Sequence, residues 1–249
     1  MKELLGKVAV VTGSSKGIGA GIARAMAAAS AAVTVNYASD RQGAEQVVKE
    51  ITAQGGKAIA VQGDVSVAGD VRRIIADTVS AFGSLDVLVN NAAYFKYDPL
   101  ERMTEEDFHR HFNVNVLGAL LMTQEAAKHF GARGCVINIG SAGILSPRPH
   151  AVLYSATKAA MNMVTQVLAK ELGPRQIRVN CIWPGFTDTA GSRRIIGTFS
   201  DELIRQWTEM TALQRIGLPE DIAPAAVFLA SDAAGWITGS MLNVSGGFP

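Results

Sequence analysis

Seven short runs rich in Val, Ile, Ala and Leu recur along this chain of 249 residues, and each is separated from the next by a stretch of helical periodicity. The runs are Lys7–Thr12, Ala32–Asn36, Lys57–Val61, Leu85–Val89, Cys135–Gly140, Ile177–Ile182 and Met241–Val244. Between them, apolar residues fall three and four apart over Gly17–Ala29, Arg41–Gln54, Val67–Phe82, Thr104–Phe130, Ala151–Leu172, Ser200–Met210 and Pro219–Ser231. Antiparallel neighbours need only a tight turn, whereas parallel neighbours need a long crossover, usually a helix. The alternation therefore predicts a doubly wound α/β fold: a parallel sheet of about seven strands with helices on both faces. No linker, low-complexity segment or further repeat interrupts it, so a single domain over 1–249 is expected.

The first strand runs into Gly13-Ser14-Ser15-Lys16-Gly17-Ile18-Gly19, and a helix follows at once. Glycines here let the backbone turn tightly and let a diphosphate approach the amides of a helix N-terminus, where the dipole favours anions. A glycine-rich turn without a ligand is the alternative. The position after a first strand and before a helix favours the nucleotide, although Ile22 stands where the third glycine of G-x-G-x-x-G would be.

A second constellation lies at Tyr154-Ser155-Ala156-Thr157-Lys158. Four residues apart on a helix, Tyr154 and Lys158 share one side, one turn from each other. An ammonium beside a phenol favours the phenolate, so the Tyr154 pKa is expected to fall from its reference of about 10. A general acid/base working on a carbonyl or an alcohol needs such a group. Alone, a Tyr/Lys pair of this kind is more often simply solvated or half-packed.

Thr12-Gly-x-x-x-Gly17-x-Gly19 together with Tyr154-x-x-x-Lys158 resembles the short-chain dehydrogenase/reductase family, over nearly the whole chain. Further motifs fall in the family's order: Asn90-Asn91-Ala92-Ala93 after the fourth strand, Asn115 on the long helix, Ser141 closing the fifth strand, and Pro184-Gly185 after the sixth. The resemblance implies a Rossmann-type domain and a catalytic set of Asn115, Ser141, Tyr154 and Lys158. Ser141 would donate a hydrogen bond to the substrate oxygen. Tyr154 would deliver or remove the proton. Lys158 would hold the nicotinamide ribose and lower the Tyr154 pKa, and Asn115 would anchor a water linking Lys158 to solvent.

For the cofactor, the resemblance implies contacts from Gly13, Ser15, Lys16, Gly17, Ile18 and Gly19 in the turn, and from Asn36 and Tyr37 at the end of the second strand. Asp64, Val65, Asn91, Ala92 and Ala93 would line adenosine. Tyr154, Lys158, Pro184, Gly185 and Thr187 would line the nicotinamide side, and Thr189 would meet the nicotinamide amide or a diphosphate oxygen. An acid about 20 residues beyond the glycine turn marks a preference for NAD. The second strand ends Val33-Thr34-Val35-Asn36-Tyr37 with no acid there. Lys16 sits where NADP-preferring relatives often carry a basic residue, and Arg41 is a second partner for a 2′-phosphate, with a solvated surface charge as its alternative. NADP(H) is favoured over NAD(H). Two departures from the family pattern stand out. Ala93 replaces a glycine, which is expected to crowd its turn, and Ser30 occupies a glycine C-cap, which is expected to cost stability if its φ is positive.

Composition narrows the partners. The net charge of +1 offers no electrostatic case for nucleic acid. No stretch approaches the roughly 20 apolar residues that cross a bilayer, and the short charged start is unlike a signal peptide, so a cytoplasmic location is expected. Cys135 and Cys181 fall in buried strands without metal-ligand spacing and read as free thiols. His109 and His111 read as solvated or interface residues and fit no metal site; His150 reads as a loop residue near the substrate mouth or one without a role. Trp183 is expected to pack beneath the cofactor. The segment 190–212, with Trp207 and Met210, is the expected substrate lid, as in the family; Arg193-Arg194 there reads as a solvated pair or an anion contact.

Ala142, Ile144, Leu145, Pro147, Tyr94, Phe95 and Phe186 suggest an apolar pocket for a small-molecule ketone. Within the family the chain is similar to 3-oxoacyl-carrier-protein reductases and bacterial glucose 1-dehydrogenases. Ala93-Tyr94-Phe95-Lys96-Tyr97-Asp98 departs from the first group, though Lys128 and Arg175 lie near positions it uses for the carrier. An NADPH-dependent ketoreductase is the leading expectation, with those two activities as alternatives. A non-catalytic dinucleotide sensor is the alternative of another class; such relatives typically lose the tyrosine or the lysine, and both are here. The resemblance also implies a homotetramer built on the helices over 104–130 and 151–172.

Overall fold

The structure, a computed structural model, describes residues 2–196 and 200–248. Seven strands form one sheet: β1 (Val8–Val11), β2 (Ala32–Tyr37), β3 (Lys57–Gln62), β4 (Leu85–Asn90), β5 (Phe130–Ile139), β6 (Ile177–Pro184) and β7 (Met241–Val244). Their order is β3-β2-β1-β4-β5-β6-β7, and every neighbouring pair is parallel. The fold is the doubly wound Rossmann-type domain that the alternation predicts.

Side chains alternate across the sheet. On β1, Ala9 and Val11 enter one core with Ile22 and Met26 of α1 (Gly17–Ala28), Val47 of α2 (Arg41–Ala53) and Leu229 of α9 (Pro219–Ala230). Val10 points the other way, into a core with Ile74 and Ile75 of α3 (Ala68–Phe82), Met122 of α5 (Gly118–His129) and Leu172 of α6 (Val152–Leu172). All four residues of β1 are buried, which explains a run with no polar alternation. The winding reverses at β1, whose neighbours are β2 and β4, and a crevice opens there at the carboxyl ends of the strands.

The single helix expected over 104–130 is interrupted. It starts as α4 (Glu105–Phe112), with the Thr104 hydroxyl capping the Asp107 amide at 3.1 Å. It then widens into a π-helical turn over Asn113–Leu117 before α5. A π turn adds one residue to the helix, a shift too small for the spacing of apolar residues to register. It falls on Asn115. Two further helices, α7 (Ala190–Ile196) and α8 (Asp201–Glu209), follow β6, and Gly191 and Ser192 of α7 line the cleft; the periodicity does not predict α7 as a separate element.

Of the two departures from the family pattern, one is felt. Ser30 has φ 77°, and it closes α1 as a left-handed cap with Ala31 N–H donating to Met26 O at 3.0 Å. Ala93 is exposed and outside the left-handed region, so its methyl crowds nothing.

Candidate active site

A cleft of about 560 Å³ runs along the carboxyl edge of the sheet, from Lys16 and Asp40 at one end to Tyr154 and Phe186 at the other. Each strand that reaches it stops there because a turn residue follows: Gly13 after β1, Asn91 after β4, Ser141 after β5 and Gly185 after β6. All the residues expected to bind cofactor line it, as do Ser141, Tyr154 and Lys158. Asn115 does not.

The dinucleotide end is backbone. Gly13 and Gly17 lie in the left-handed region at φ 60° and 59°. A Cβ on Gly19 would stand 2.4 Å from Asn91 Nδ2 and 2.8 Å from Gly13 O, so only glycine lets α1 begin this close to β4. The first turn of α1 holds no acidic residue, and its N-cap contributes no side-chain bond. The open amides face the cleft, which suits a diphosphate. The side chains nearby are spent on holding this backbone. Asn36 donates to Val61 O at 3.3 Å and Gly63 O at 3.0 Å and accepts from Gly13 N–H at 3.1 Å. Asn91 donates to Thr12 O and Gly13 O at 2.8 and 3.0 Å. These residues fit a nicotinamide dinucleotide by the shape of their backbone.

Two charges at this end differ from the expectation. Lys16 Nζ pairs with Asp40 Oδ2 at 2.7 Å, and this ion pair holds the Asp40 carboxyl below its usual range. Asp40 also accepts from Gly43 N–H at 3.1 Å, capping α2. An acid does stand beside Lys16, three residues beyond the strand end where the sequence shows none. Arg41 turns to Glu45 of its own helix at 2.6 Å and does not line the cleft. It is the solvated surface charge of the two readings.

At the other end, α6 brings Tyr154 and Lys158 to the cleft one turn apart. Lys158 is 5% exposed; its Nζ donates to Ile139 O at 2.7 Å and lies 5.7 Å from the centre of the Tyr154 ring. Phe95 and Tyr97 enclose the phenol, with ring centres 6.0 and 6.1 Å away. Burial pushes the Tyr154 pKa up, the Tyr97 hydroxyl adds to this, and Ser141 pulls weakly the other way. Burial likewise holds the Lys158 ammonium down to about 8. The expected fall of the Tyr154 pKa is thus reversed here, because desolvation outweighs the neighbouring ammonium. At neutral pH the phenol keeps its proton and Lys158 stays mostly charged.

Asn115 stands one layer behind. Its Oδ1 accepts from Tyr94 N–H at 2.7 Å, and its Nδ2 donates to Tyr94 O at 2.8 Å and Thr157 Oγ1 at 3.0 Å. It ties the π turn to the loop after β4 and to α6, between Tyr154 and Lys158 in sequence.

Among the other predicted residues, Thr187 donates to Gly185 O at 3.0 Å, and Thr189 Oγ1 accepts from Ser192 N–H at 3.0 Å at the start of α7. Trp183 turns away to donate to Asn162 at 2.9 Å and does not line the cleft. His111 is buried, not solvated: its Nδ1 meets Asp107 O at 2.7 Å and its Nε2 accepts from Lys96 N–H at 3.3 Å. His150 faces a small hollow beside Lys96 and Asp98, apart from the main cleft. Cys135 and Cys181 are free and buried. Of the expected apolar lining, Tyr94, Phe95, Ile144 and Phe186 reach the cleft, whereas Ala142, Leu145 and Pro147 do not. In the 190–212 segment, Trp207 is buried with its ring centre 3.5 Å from that of Phe186. Arg193 pairs with Asp188 at 2.5 Å; the side chain of Arg194 and residues 197–199 lie outside the described residues. The sequence reading missed Asp40, Tyr97 and Arg148, all of which line the cleft. Only Asp40 carries a local signal, as an N-cap three residues before Gly43.

Known proteins are similar over the full length. A family profile described as enoyl-(acyl carrier protein) reductase matches residues 13–249. An uncharacterised oxidoreductase of Methylorubrum extorquens is 51% identical, covering 99% of both chains. A 3β-hydroxysteroid dehydrogenase of Eggerthella lenta is 41% identical, covering 98% of this chain and 94% of that one. A crystal structure of a short-chain dehydrogenase from Burkholderia cenocepacia in complex with NADP superposes with a TM-score of 0.92 at 37% identity, covering 98% of each chain.

Proposed function

The chain belongs to the short-chain dehydrogenase/reductase family, and from that premise we propose that it is an NADPH-dependent ketoreductase that reduces a bulky apolar ketone to a secondary alcohol. It is an oxidoreductase acting on hydroxyl and carbonyl groups with a nicotinamide cofactor. The observation that carries the finer reading is a half-buried, protonated phenol at Tyr154, one turn from the Lys158 ammonium and beside Ser141, in a cleft walled by aromatic rings.

In this reading the cofactor, when bound, supplies the hydride. The chain supplies the proton and the electrostatics. The Ser141 hydroxyl donates a hydrogen bond to the substrate oxygen and stabilises the charge that develops there. Tyr154 releases its proton to that oxygen. A raised pKa suits this direction, since the acid stays loaded until an alkoxide forms beside it. Lys158, held near Ile139 O, opposes the charge left on Tyr154 and meets the cofactor ribose. Asn115 fixes the π turn against α6 and anchors the water that returns a proton to Lys158.

Preference for the 2′-phosphate rests on Lys16, the one cation of the turn at that end of the cleft; the NADP complex of the Burkholderia relative supports it. The dehydrogenase of Eggerthella lenta, named for hydroxysteroids, supports a bulky apolar substrate. Lys128 pairs with Glu125 at 2.7 Å and Arg175 donates to Ala127 O, which weighs against a role in holding a carrier protein. The 190–212 segment acts as the lid, with Trp207 closing on Phe186. A homotetramer fits the apolar surface left on α6 by Met163 and Val167, 60% and 51% exposed.

The test is turnover of NADPH with bulky aryl ketones, β-keto esters and acetoacetyl thioesters, and of NADP⁺ with glucose. Tyr154→Phe is expected to lower ketone turnover about 1,000-fold or more while NADPH binding, followed by fluorescence, stays within about twofold. Retained turnover would sink the mechanism. Tight NADPH binding without turnover of any substrate would favour a dinucleotide sensor instead.

A further inference from the structure

The substrate end of the cleft carries positive charge and no negative charge. Among its lining residues the only carboxylates are Asp40 and Asp64, both at the dinucleotide end. Arg148, in the loop between Ser141 and α6, stands at the rim beyond Tyr97. Its guanidinium lies 5.0 Å from the centre of the Trp207 ring, and its charge acts on the Tyr97 hydroxyl. Tyr97 in turn packs on Tyr154. Among the described residues Arg148 has no carboxylate within ion-pair distance, unlike Lys16, Lys96 and Arg193. Arg148 is exposed where it lines the cleft, and partial burial draws its pKa below the usual value. Its neighbours there are the Trp207 ring and the Tyr97 hydroxyl rather than a counter-charge. A guanidinium with no counter-charge keeps its donors for an anionic oxygen, which it binds through short charge-assisted hydrogen bonds.

We propose that Arg148 selects ketones whose apolar body carries an anionic oxygen, a carboxylate or an ionised phenol or enol, on the edge that lies past Tyr97. The inference rests on the ketoreductase reading and deepens it: Tyr154 meets the carbonyl while Arg148 meets the anion across the aromatic wall of Tyr97. Arg148 is then a specificity residue, acting on KM more than on kcat.

Three aryl ketones separate the possibilities: para-acetylbenzoate, its methyl ester, and a para-acetylphenol made acidic by flanking fluorines, each with NADPH. The wild type is expected to prefer both anions to the ester in kcat/KM by about tenfold or more. Arg148→Gln is expected to erase that preference through KM, leaving the ester within about twofold, and Arg148→Lys to restore part of it. Preference for the carboxylate alone, or for the phenolate alone, assigns the source of the charge. Equal losses on ester and anions, or no loss at all, would overturn the proposal. If neither these nor the ketones of the wider panel are reduced, the ketoreductase reading fails separately; where these three are not turned over, Arg148 is judged by calorimetry on the NADPH-loaded protein. There, para-tert-butylbenzoate is expected to bind about tenfold more tightly than its amide, and Arg148→Gln to equalise them. Equal binding by the wild type would overturn the proposal.

Discussion

From Lys16 to Asn91 the wall of the cleft is largely backbone, while around Tyr154, from Phe95 to Phe186, it is largely side chain. In the first half, Gly13 and Gly17 adopt left-handed φ values, Gly19 has no room for a methyl group, and Asn36 and Asn91 are spent holding the turn. In the second half, Phe95 and Tyr97 each meet the Tyr154 ring and Phe186 meets Trp207, with Arg148 beside Trp207. A backbone cradle recognises what every substrate pair shares, the dinucleotide. A side-chain wall can be rebuilt without moving the fold. The two halves should therefore answer differently to substitution: added side-chain atoms weaken cofactor binding in the first, and truncation in the second changes the choice of substrate.

The largest effect tests the cradle. Gly19→Val would force atoms into Asn91 and Gly13, and overpacking of this kind costs about 1–3 kcal/mol. NADPH affinity, read by fluorescence titration, is expected to fall by roughly 100-fold, and full affinity would mean that the turn yields more than its contacts imply. A smaller effect tests the one side chain that matters at this end. Lys16→Gln is expected to raise the Kd for NADPH about tenfold and to leave NADH within about twofold. An unchanged ratio would remove Lys16 from 2′-phosphate recognition and leave Asp40 as the group that decides. The smallest effect lies outside the cleft, at the end of the helix that the cradle starts. Ser30→Gly removes left-handed strain and is expected to stabilise the fold by about 0.5–1 kcal/mol, read from denaturant midpoints at constant m. Destabilisation would show that Ser30 is not strained.

Most of the fold and half of the site were legible in the sequence, for identifiable reasons. Strand runs such as Val8–Val11 are buried on both faces, so they are apolar throughout and stand out from the amphipathic helices around them. Gly13, Gly17 and Gly19 are legible because a backbone demand can be met by only one residue type. Tyr154 and Lys158 are legible because one helical turn fixes their relation whatever surrounds them. The π turn at Asn115 was hidden, since one inserted residue barely disturbs a period near four. His111 was hidden as well: its burial comes from the loop at Lys96, fifteen residues away.

The sequence alone determined the parallel sheet, the glycine turn at its edge and the placing of Tyr154 and Lys158 one helical turn apart, because each follows from local spacing. It did not determine the sign of the Tyr154 pKa shift. Spacing places an ammonium one turn away, but the tertiary structure adds the rings of Phe95 and Tyr97, and desolvation prevails. Nor did it determine that Lys16 meets Asp40, or that Arg148 faces Trp207 with no carboxylate at hand among the described residues. Those relations join residues from different loops at the edge of the sheet. They depend on where the crossovers bring each loop, and no local pattern in the chain encodes that.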